Sequence, residues 1–150
     1  MSKTWIILLF VLLFLMFSCR SQRKTGKYDR QPSICLAMDM LGTPPDSLRI
    51  DPFHIDSLRI EDQCLNVYVT YGGGCGEARF NMFYSNMVQH SFPPQTTLYL
   101  AFEDNDHCRS IERKKLKFDL FPFSKYADNG GIWLNIAMEG QNRILYKNTP

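Results

Sequence analysis

The sequence lacks an apolar run long enough to cross a lipid bilayer. Its longest run, Trp5–Phe17, has 13 residues. As a helix this run would span about 20 Å, whereas the hydrocarbon core of a bilayer is about 30 Å thick. Lys3 precedes the run, and a positive charge before a short apolar run is typical of a signal peptide. The pattern therefore favours a signal peptide over a permanent transmembrane helix.

The spacings that mark common metal and phosphate sites are also missing. His54, His90 and His107 show none of the close spacings of zinc ligands. The glycine-rich stretch Gly72–Gly76 is not followed by the lysine and hydroxyl residue of a phosphate-binding loop. We therefore predict no metal site, no cofactor and no catalytic residue.

Basic residues are scarce in most of the chain. Residues 1–30 hold six basic side chains and one acidic one, whereas residues 31–150 hold 11 basic and 14 acidic ones. A nucleic-acid-binding domain needs a basic face, so the slightly acidic body argues against nucleic acid as a partner.

The apolar run ends at a cysteine that opens a basic segment. The stretch Met16-Phe17-Ser18-Cys19 resembles the lipobox of bacterial lipoproteins, in which an apolar and a small residue precede the cysteine that is lipidated. The resemblance implies that residues 1–18 are a signal peptide, that Cys19 is the lipid attachment point, and that acyl chains hold the protein to a membrane. Arg20 follows the cysteine instead of aspartate, which by the same analogy favours the outer membrane. The acidic run that marks surface export in some bacteria is missing after the cysteine, which favours the periplasmic face.

The residues after Cys19 have the composition of a linker. Residues 20–33 are polar and almost free of aliphatic side chains, as expected of a flexible segment. We therefore divide the chain into a signal peptide (1–18), a lipidated linker (19–33) and a folded domain (34–150).

Within residues 34–150, apolar side chains alternate with polar ones at a period of two, which is the period of β-strands. Examples are Leu65-Val67-Val69-Tyr71, Leu116-Phe118-Leu120 and Ile132-Leu134-Ile136-Met138. About seven short strands separated by turn residues predict an all-β, antiparallel sandwich. An immunoglobulin-like arrangement is the first expectation and a small barrel the second. The only helical feature expected is a turn around Ser33–Leu41.

Four cysteines remain for the domain, and export to an oxidising compartment favours two disulfides. Cys64 and Cys75 lie beyond opposite ends of one predicted strand, so they are too far apart to bond. Two pairing schemes remain open. We prefer Cys35 with Cys64 and Cys75 with Cys108, because the second pair would join neighbouring loops. The segments around Cys75 and Cys108 also resemble those of small uncharacterised bacterial lipoproteins, a resemblance that carries no function.

Three features allow a chemical or a structural interpretation. Cys75 in its glycine-rich turn has the setting of a nucleophile, but a tight turn carrying half a disulfide is favoured. The polar stretch Glu103–His107 offers oxygen ligands for a metal, but it equally suits a turn between strands. Four aromatic residues near prolines or loops either form an interaction patch or close one end of the sandwich: Phe92, Phe121, Phe123 and Tyr126.

Together these features predict a lipid-anchored lipoprotein of the cell envelope. Its expected role is a non-enzymatic binding or assembly module that contacts another envelope protein. The alternative is an envelope enzyme, or a receptor for a small ligand or metal, that uses the loops around Cys75 and Glu103–His107.

Overall fold

The structure, a computed structural model, describes residues 34–42, 45–105, 107–137 and 142–148. The predictions for the signal peptide, for Cys19 and for the linker lie outside these residues. The described part contains eight strands: β1 (Asp39–Met40), β2 (Phe53–Glu61), β3 (Cys64–Gly73), β4 (Ala78–Tyr84), β5 (Gln95–Asp104), β6 (Ser110–Asp119), β7 (Ile132–Ile136) and β8 (Arg143–Tyr146). The alternation predicted an all-β domain, and the structure confirms it.

The strands form two sheets, and the smaller one has the order β2-β3-β6. A two-residue turn joins β2 to β3, and its residues Asp62 and Gln63 have φ values of 50° and 64°. Positive φ at both central positions is the geometry that matches the twist of a tight hairpin. β3 then pairs with β6 over its whole length, from Cys64 opposite Asp119 to Gly73 opposite Ser110.

The larger sheet has the order β1-β4-β5-β7-β8. Its pairs β4–β5 and β7–β8 are antiparallel, but β1–β4 and β5–β7 are parallel. The expectation of a wholly antiparallel architecture was therefore wrong for these two pairs. The physical reason for β5–β7 is that β6 intervenes in the other sheet, so the chain returns to the larger sheet in the direction in which it left.

The two sheets enclose one hydrophobic core. Leu65, Val67 and Val69 of β3 are fully buried, as are Leu98, Leu100 and Phe102 of β5. This is the alternation that the sequence predicted, with every second residue facing the other sheet.

The domain has two ends, which we name by the connections that form them. At the crossover end the chain passes between the sheets twice, from Gly73 to Ala78 and from Asp104 to Ser110. At the linker end lie the β2–β3 turn, residues 85–94 between β4 and β5, and the short helix α1 (Ser124–Ala127).

Ile34 and Cys35 form a bend, and the described positions 34–41 contain no helical turn, although one was expected around Ser33–Leu41. Leu36 pairs in parallel with Phe118 of β6, and β1 pairs with the end of β4. This segment therefore spans from one sheet to the other. The helix α1 was not expected from the sequence. Nowhere in the described ranges is there a helix with the length and apolarity needed to span a membrane.

Candidate functional site

The two loops that the sequence singled out meet at the crossover end. Cys75 lies in the connection from β3 to β4 and Cys108 in the connection from β5 to β6, and a disulfide joins them with their Cα atoms 5.9 Å apart. The bond is possible because β3 ends beside the start of β6, and β4 starts beside the end of β5. It therefore ties together the two passages of the chain between the sheets.

Ion pairs and hydrogen bonds surround this disulfide. Arg79 contacts Glu77 at 2.6 Å, and this hydrogen-bonded carboxylate raises the pKa of the Arg79 guanidinium. Arg49 lies 3.1 Å from Asp51, whose Oδ2 accepts a bond of 2.7 Å from the backbone N–H of Asp104. These contacts are mostly exposed, so each adds little stability, but together they fix the shape of the loops.

The chemistry available at this end is limited. In the disulfide the sulfur of Cys75 is not a thiolate, which is the form that a nucleophile or a metal ligand requires. His107 is exposed, and Asp106 lies outside the described residues. Across the described ranges no three His, Cys, Asp or Glu side chains come together as a metal site.

An aromatic cluster lies in the core just below these loops. The rings of Phe80 and Phe102 stack with centroids 4.2 Å apart, and Phe53 and Tyr71 approach both rings edge-on at 5.2–5.7 Å. The Lys114 ammonium lies 5.9 Å above the Phe80 ring. The cluster is packed against itself, so its role is to support the crossover end.

The second disulfide joins Cys35 to Cys64, with their Cα atoms 6.2 Å apart. Next to it, the N–H of Leu36 donates to the carbonyl of Lys117, and the N–H of Asp119 donates to the carbonyl of Leu36. The bond therefore holds the beginning of the domain against the end of β6. The two pairs in the structure are the two that the sequence argument preferred.

The outer face of the three-stranded sheet carries a charged surface, which we call the β6 face. Its outward-facing side chains on β6 are Arg113, Lys115 and Lys117, which are exposed and alternate with the buried Leu116 and Phe118. Lys115 lies 5.2 Å from the Tyr68 ring, and Arg59 of β2 lies 5.9 Å from the same ring. Tyr68 is thus flanked by two cations at the centre of the face.

One acidic side chain organises this cluster. Glu61 Oε2 accepts a hydrogen bond from Lys115 at 3.3 Å and another from the Asn66 amide at 3.0 Å. Hydrogen bonding with Tyr68, and then with Glu61, raises the pKa of Lys115. Lys115 is therefore charged at every physiological pH.

Asn66 is the unusual residue of the β6 face. It is only 1% exposed, and its Oδ1 has no hydrogen-bond partner within the described residues. An unpaired buried acceptor costs about 1–3 kcal/mol. The Nδ2 of the same amide holds Glu61, and through Glu61 it helps to position Lys115.

The four aromatic residues that the sequence analysis grouped together do not act together. Phe123 is buried and Tyr126 packs against the core, so these two close the linker end. Phe121 is 37% exposed and Phe92 is 99% exposed. The interpretation as an end plug holds for two of the four, and Phe92 stands fully in solvent.

The cluster around Tyr68 was not expected from the sequence. Arg113 to Lys115 form a basic run in the sequence, and nothing in its spacing pairs it with Tyr68 or Arg59. The alternation of Lys115 and Lys117 with Leu116 and Phe118 does mark a cationic strand face. Only the strand pairing in the structure shows that Tyr68 of β3 lies between Lys115 of β6 and the strand β2, which carries Arg59.

Comparisons with known proteins give a fold and no family. No protein-family model matches the chain, and no curated protein matches it in sequence. Among solved structures, it is similar to a NigD-like immunity protein from Bacteroides caccae, with 17% identity and a TM-score of 0.53 over 77% of this chain. It is also similar to a protein of unknown function, DUF1344, from Bacteroides vulgatus, with 16% identity and a TM-score of 0.52 over 79% of this chain. The match spans 59% of the length of each of those two proteins.

Proposed function

We propose that this protein is a lipid-anchored lipoprotein of the bacterial cell envelope and that it works by binding another protein. The observation that carries the proposal is the pairing of cysteines. The sequence has five cysteines. The four in the described domain bond to each other in two pairs, which leaves none of them to pair with Cys19. Two disulfides favour an oxidising compartment, and a lipobox-like sequence gives the fifth cysteine a use.

The lipid anchor is tested by the intact mass of the protein extracted from membranes of a bacterial host. We expect a chain that begins at Cys19 and carries acyl chains, with two disulfides. Cys19→Ala is the matched control, and we expect it to lose the acyl mass and to leave the membrane fraction or keep residues 1–18. A wild-type chain that retains residues 1–18 would contradict the proposal.

For the binding role, we propose the β6 face as the contact surface and an acidic surface of an envelope protein as its partner. Arg113, Lys115 and Lys117 form a row of positive charge. Tyr68 lies between Arg59 and Lys115, and tyrosine and arginine are enriched at the centres of protein–protein interfaces. Because the row is cationic, the complex should form faster and more tightly at low salt.

The test is co-purification from mildly solubilised membranes, with charge reversal on the β6 face. We expect the wild-type chain to recover a stoichiometric partner, and R113E/K115E to lose it. Lys125→Glu also replaces a positive charge by a negative one, but it lies on α1, outside the β6 face. This variant should keep the partner. A partner that survives R113E/K115E would move the contact elsewhere, and a monomeric wild-type chain would contradict the binding role.

One structural neighbour is described as a NigD-like immunity protein, and at 17% identity the likeness carries the fold alone. The immunoglobulin-like form of the two sheets remains a prediction. So does the alternative role as an enzyme or small-ligand receptor at Cys75 and Glu103–His107. An enzyme that uses Cys75 as its nucleophile needs a free thiol there in the mature protein, which thiol labelling under non-reducing conditions would detect.

A further inference from the structure

Exposed apolar side chains gather at the linker end of the domain. Met87 and Phe92 are 72% and 99% exposed in the connection between β4 and β5, and Met40 is 58% exposed beside the end of β4. Phe121, 37% exposed, follows β6 at this end. Single exposed apolar residues are ordinary on a protein surface, but several at one end indicate an interaction surface.

The loop that carries Phe92 is closed by its own hydrogen bonds. Gln89 and Gln95 exchange two backbone bonds of 2.8 and 3.2 Å. The Ser91 hydroxyl donates to the carbonyl of Pro93 at 2.6 Å, and the Thr96 hydroxyl donates to the carbonyl of Met87 at 3.2 Å. Phe92 therefore projects from a loop that is already ordered. If Phe92 inserts into a lipid surface or a protein pocket, the loop loses little conformational entropy.

The polypeptide reaches the folded domain near the same end. Leu36 pairs with Phe118, the next-to-last residue of β6, and Met40 pairs with Tyr84, the last residue of β4. Between Cys19 and Ile34 lie 14 residues. Their composition predicts a flexible linker, and a flexible chain of that length spans about 20 Å on average. A lipid anchor at Cys19 thus keeps a bilayer within reach of the linker end.

We infer that the linker end rests on the lipid surface, with Phe92 and Met87 inserted at the level of the headgroups and the first acyl carbons. The inference rests on the proposed function, because the anchor brings the bilayer close. Aromatic side chains and large aliphatic ones are those that segments lying at the interface between water and lipid turn towards the lipid. A pocket in a partner protein is the other kind of site that would accept Phe92, and the short tether favours lipid.

Tryptophan fluorescence in vesicles tests the inference on the full chain. Trp5 and Trp133 are replaced by phenylalanine, and one new tryptophan is introduced, either Phe92→Trp or Ile111→Trp. Ile111 is the matched control, since it is 76% exposed but lies beside Gly72 at the crossover end. The acylated chains are reconstituted into phosphatidylcholine vesicles that contain brominated acyl chains, which quench only a tryptophan in contact with lipid.

We expect emission from the tryptophan at position 92 to be shifted to the blue and quenched several-fold more strongly than emission from position 111. Equal, weak quenching at both positions would overturn the inference. A tryptophan at position 92 that is shifted to the blue in native membranes but escapes brominated lipid would overturn it too, in favour of a protein pocket.

The mass of each chain, measured beforehand, separates this outcome from a failure of the proposed function. A chain that carries acyl groups but shows no difference between positions 92 and 111 contradicts only the inference. A chain without acyl groups contradicts the anchor. In that chain the comparison of the two positions still reports whether the linker end meets lipid.

Discussion

The two ends of the domain are made from the same strands, yet they expose different chemistry. The crossover end carries a disulfide and ion pairs such as Glu77–Arg79, and the centre of its aromatic cluster, Phe102, is fully buried. At the linker end, Phe92 and Met87 stand in solvent. Ile111 is 76% exposed at the crossover end, so the two ends differ in how many such apolar side chains they expose. The linker end has apolar side chains left over, as expected of a surface that meets something else.

This difference also orients the β6 face. The strands of the three-stranded sheet run from one end of the domain to the other. The paired residues Gly72 and Ile111 lie near the crossover end, and the paired residues Cys64 and Asp119 lie at the linker end. If the linker end lies on a bilayer, the β6 face stands upright beside it and remains open to a partner. The two proposals are therefore compatible, and they can fail independently.

The largest difference between the ends is expected from removing one phenylalanine ring at each. Phe102→Ala deletes the centre of the aromatic cluster, so it should lower the free energy of unfolding by about 5 kcal/mol, the upper end for a buried ring. Phe92→Ala removes a ring with no buried surface and should change stability by less than about 0.5 kcal/mol. Urea unfolding of both variants measures this.

The result would contradict the comparison if Phe92→Ala were destabilising by more than about 1 kcal/mol, since the ring would then be packed. Phe102→Leu is a useful second variant. It keeps most of the apolar volume and should retain the fold if the alanine variant does not.

The position of Phe102 in the core was predictable from sequence, and the position of Phe92 was not. Phe102 belongs to an alternating run with Leu98 and Leu100, so its direction follows from a period of two. Phe92 stands beside two prolines in a connection, where periodicity gives no direction. Its exposure depends on hydrogen bonds within the loop, between Gln89 and Gln95, that no local pattern reveals.

The sheet pairing shows a second limit of the same kind. Alternation marks each strand and its buried face, but it carries no information on which strand lies next to it. The parallel neighbour of β5 is β7, and β6 pairs with β3, because the chain crosses between the sheets at both ends. The cluster of Tyr68, Arg59 and Lys115 depends on this pairing, so it was found only with the register.

The two disulfides should differ less than the two phenylalanines. They close similar loops, with sequence separations of 29 and 33, and chain entropy assigns each about 4 kcal/mol. Alanine at both Cys35 and Cys64 should cost somewhat more than alanine at Cys75 and Cys108, because Cys35 and Cys64 are each only 9% exposed. Their loss also frees the pairing of Leu36 with β6.

Thermal or urea unfolding of the two double variants gives the order, and the reduced wild-type protein is the reference for losing both bonds. A larger loss for the Cys75 and Cys108 variant would reverse the comparison. It would mean that the loops at the crossover end are held mainly by their disulfide and little by the charges around it.

A smaller effect is expected from glycines with positive φ at each end. A Cβ at Gly131, where φ is 99°, would lie 2.9 Å from the backbone carbonyl oxygen of Tyr146, which cannot easily move. A Cβ at Gly74, where φ is 116°, would lie 2.9 Å from side-chain oxygens of Glu112 and Ser110, which can. We expect Gly131→Ala to cost about 3 kcal/mol and Gly74→Ala about 1–2 kcal/mol.

Gly72→Ala is the control for this pair of variants, because nothing lies within 4 Å of its Cβ position. It should be neutral or slightly stabilising, since alanine restricts the unfolded chain more than glycine does. Calorimetry or urea unfolding measures all three. Equal losses at Gly74 and Gly131 would show that backbone strain, and not the contact with Tyr146, sets the cost.

The smallest effect is expected at the β2–β3 turn of the linker end, where glycine should stabilise. Gln63 has φ of 64°, a conformation that costs a non-glycine residue about 1–2 kcal/mol. Gln63→Gly relieves this strain while freeing the unfolded chain, so we expect a net gain of about 0.5–1 kcal/mol. Gln89→Gly is the matched control. The backbone of Gln89 has no positive φ. Glycine there relieves no strain and gives the unfolded chain more freedom, so it should destabilise. A loss of stability for Gln63→Gly in urea unfolding would mean that the Gln63 side chain contributes a contact that outweighs the strain of its backbone.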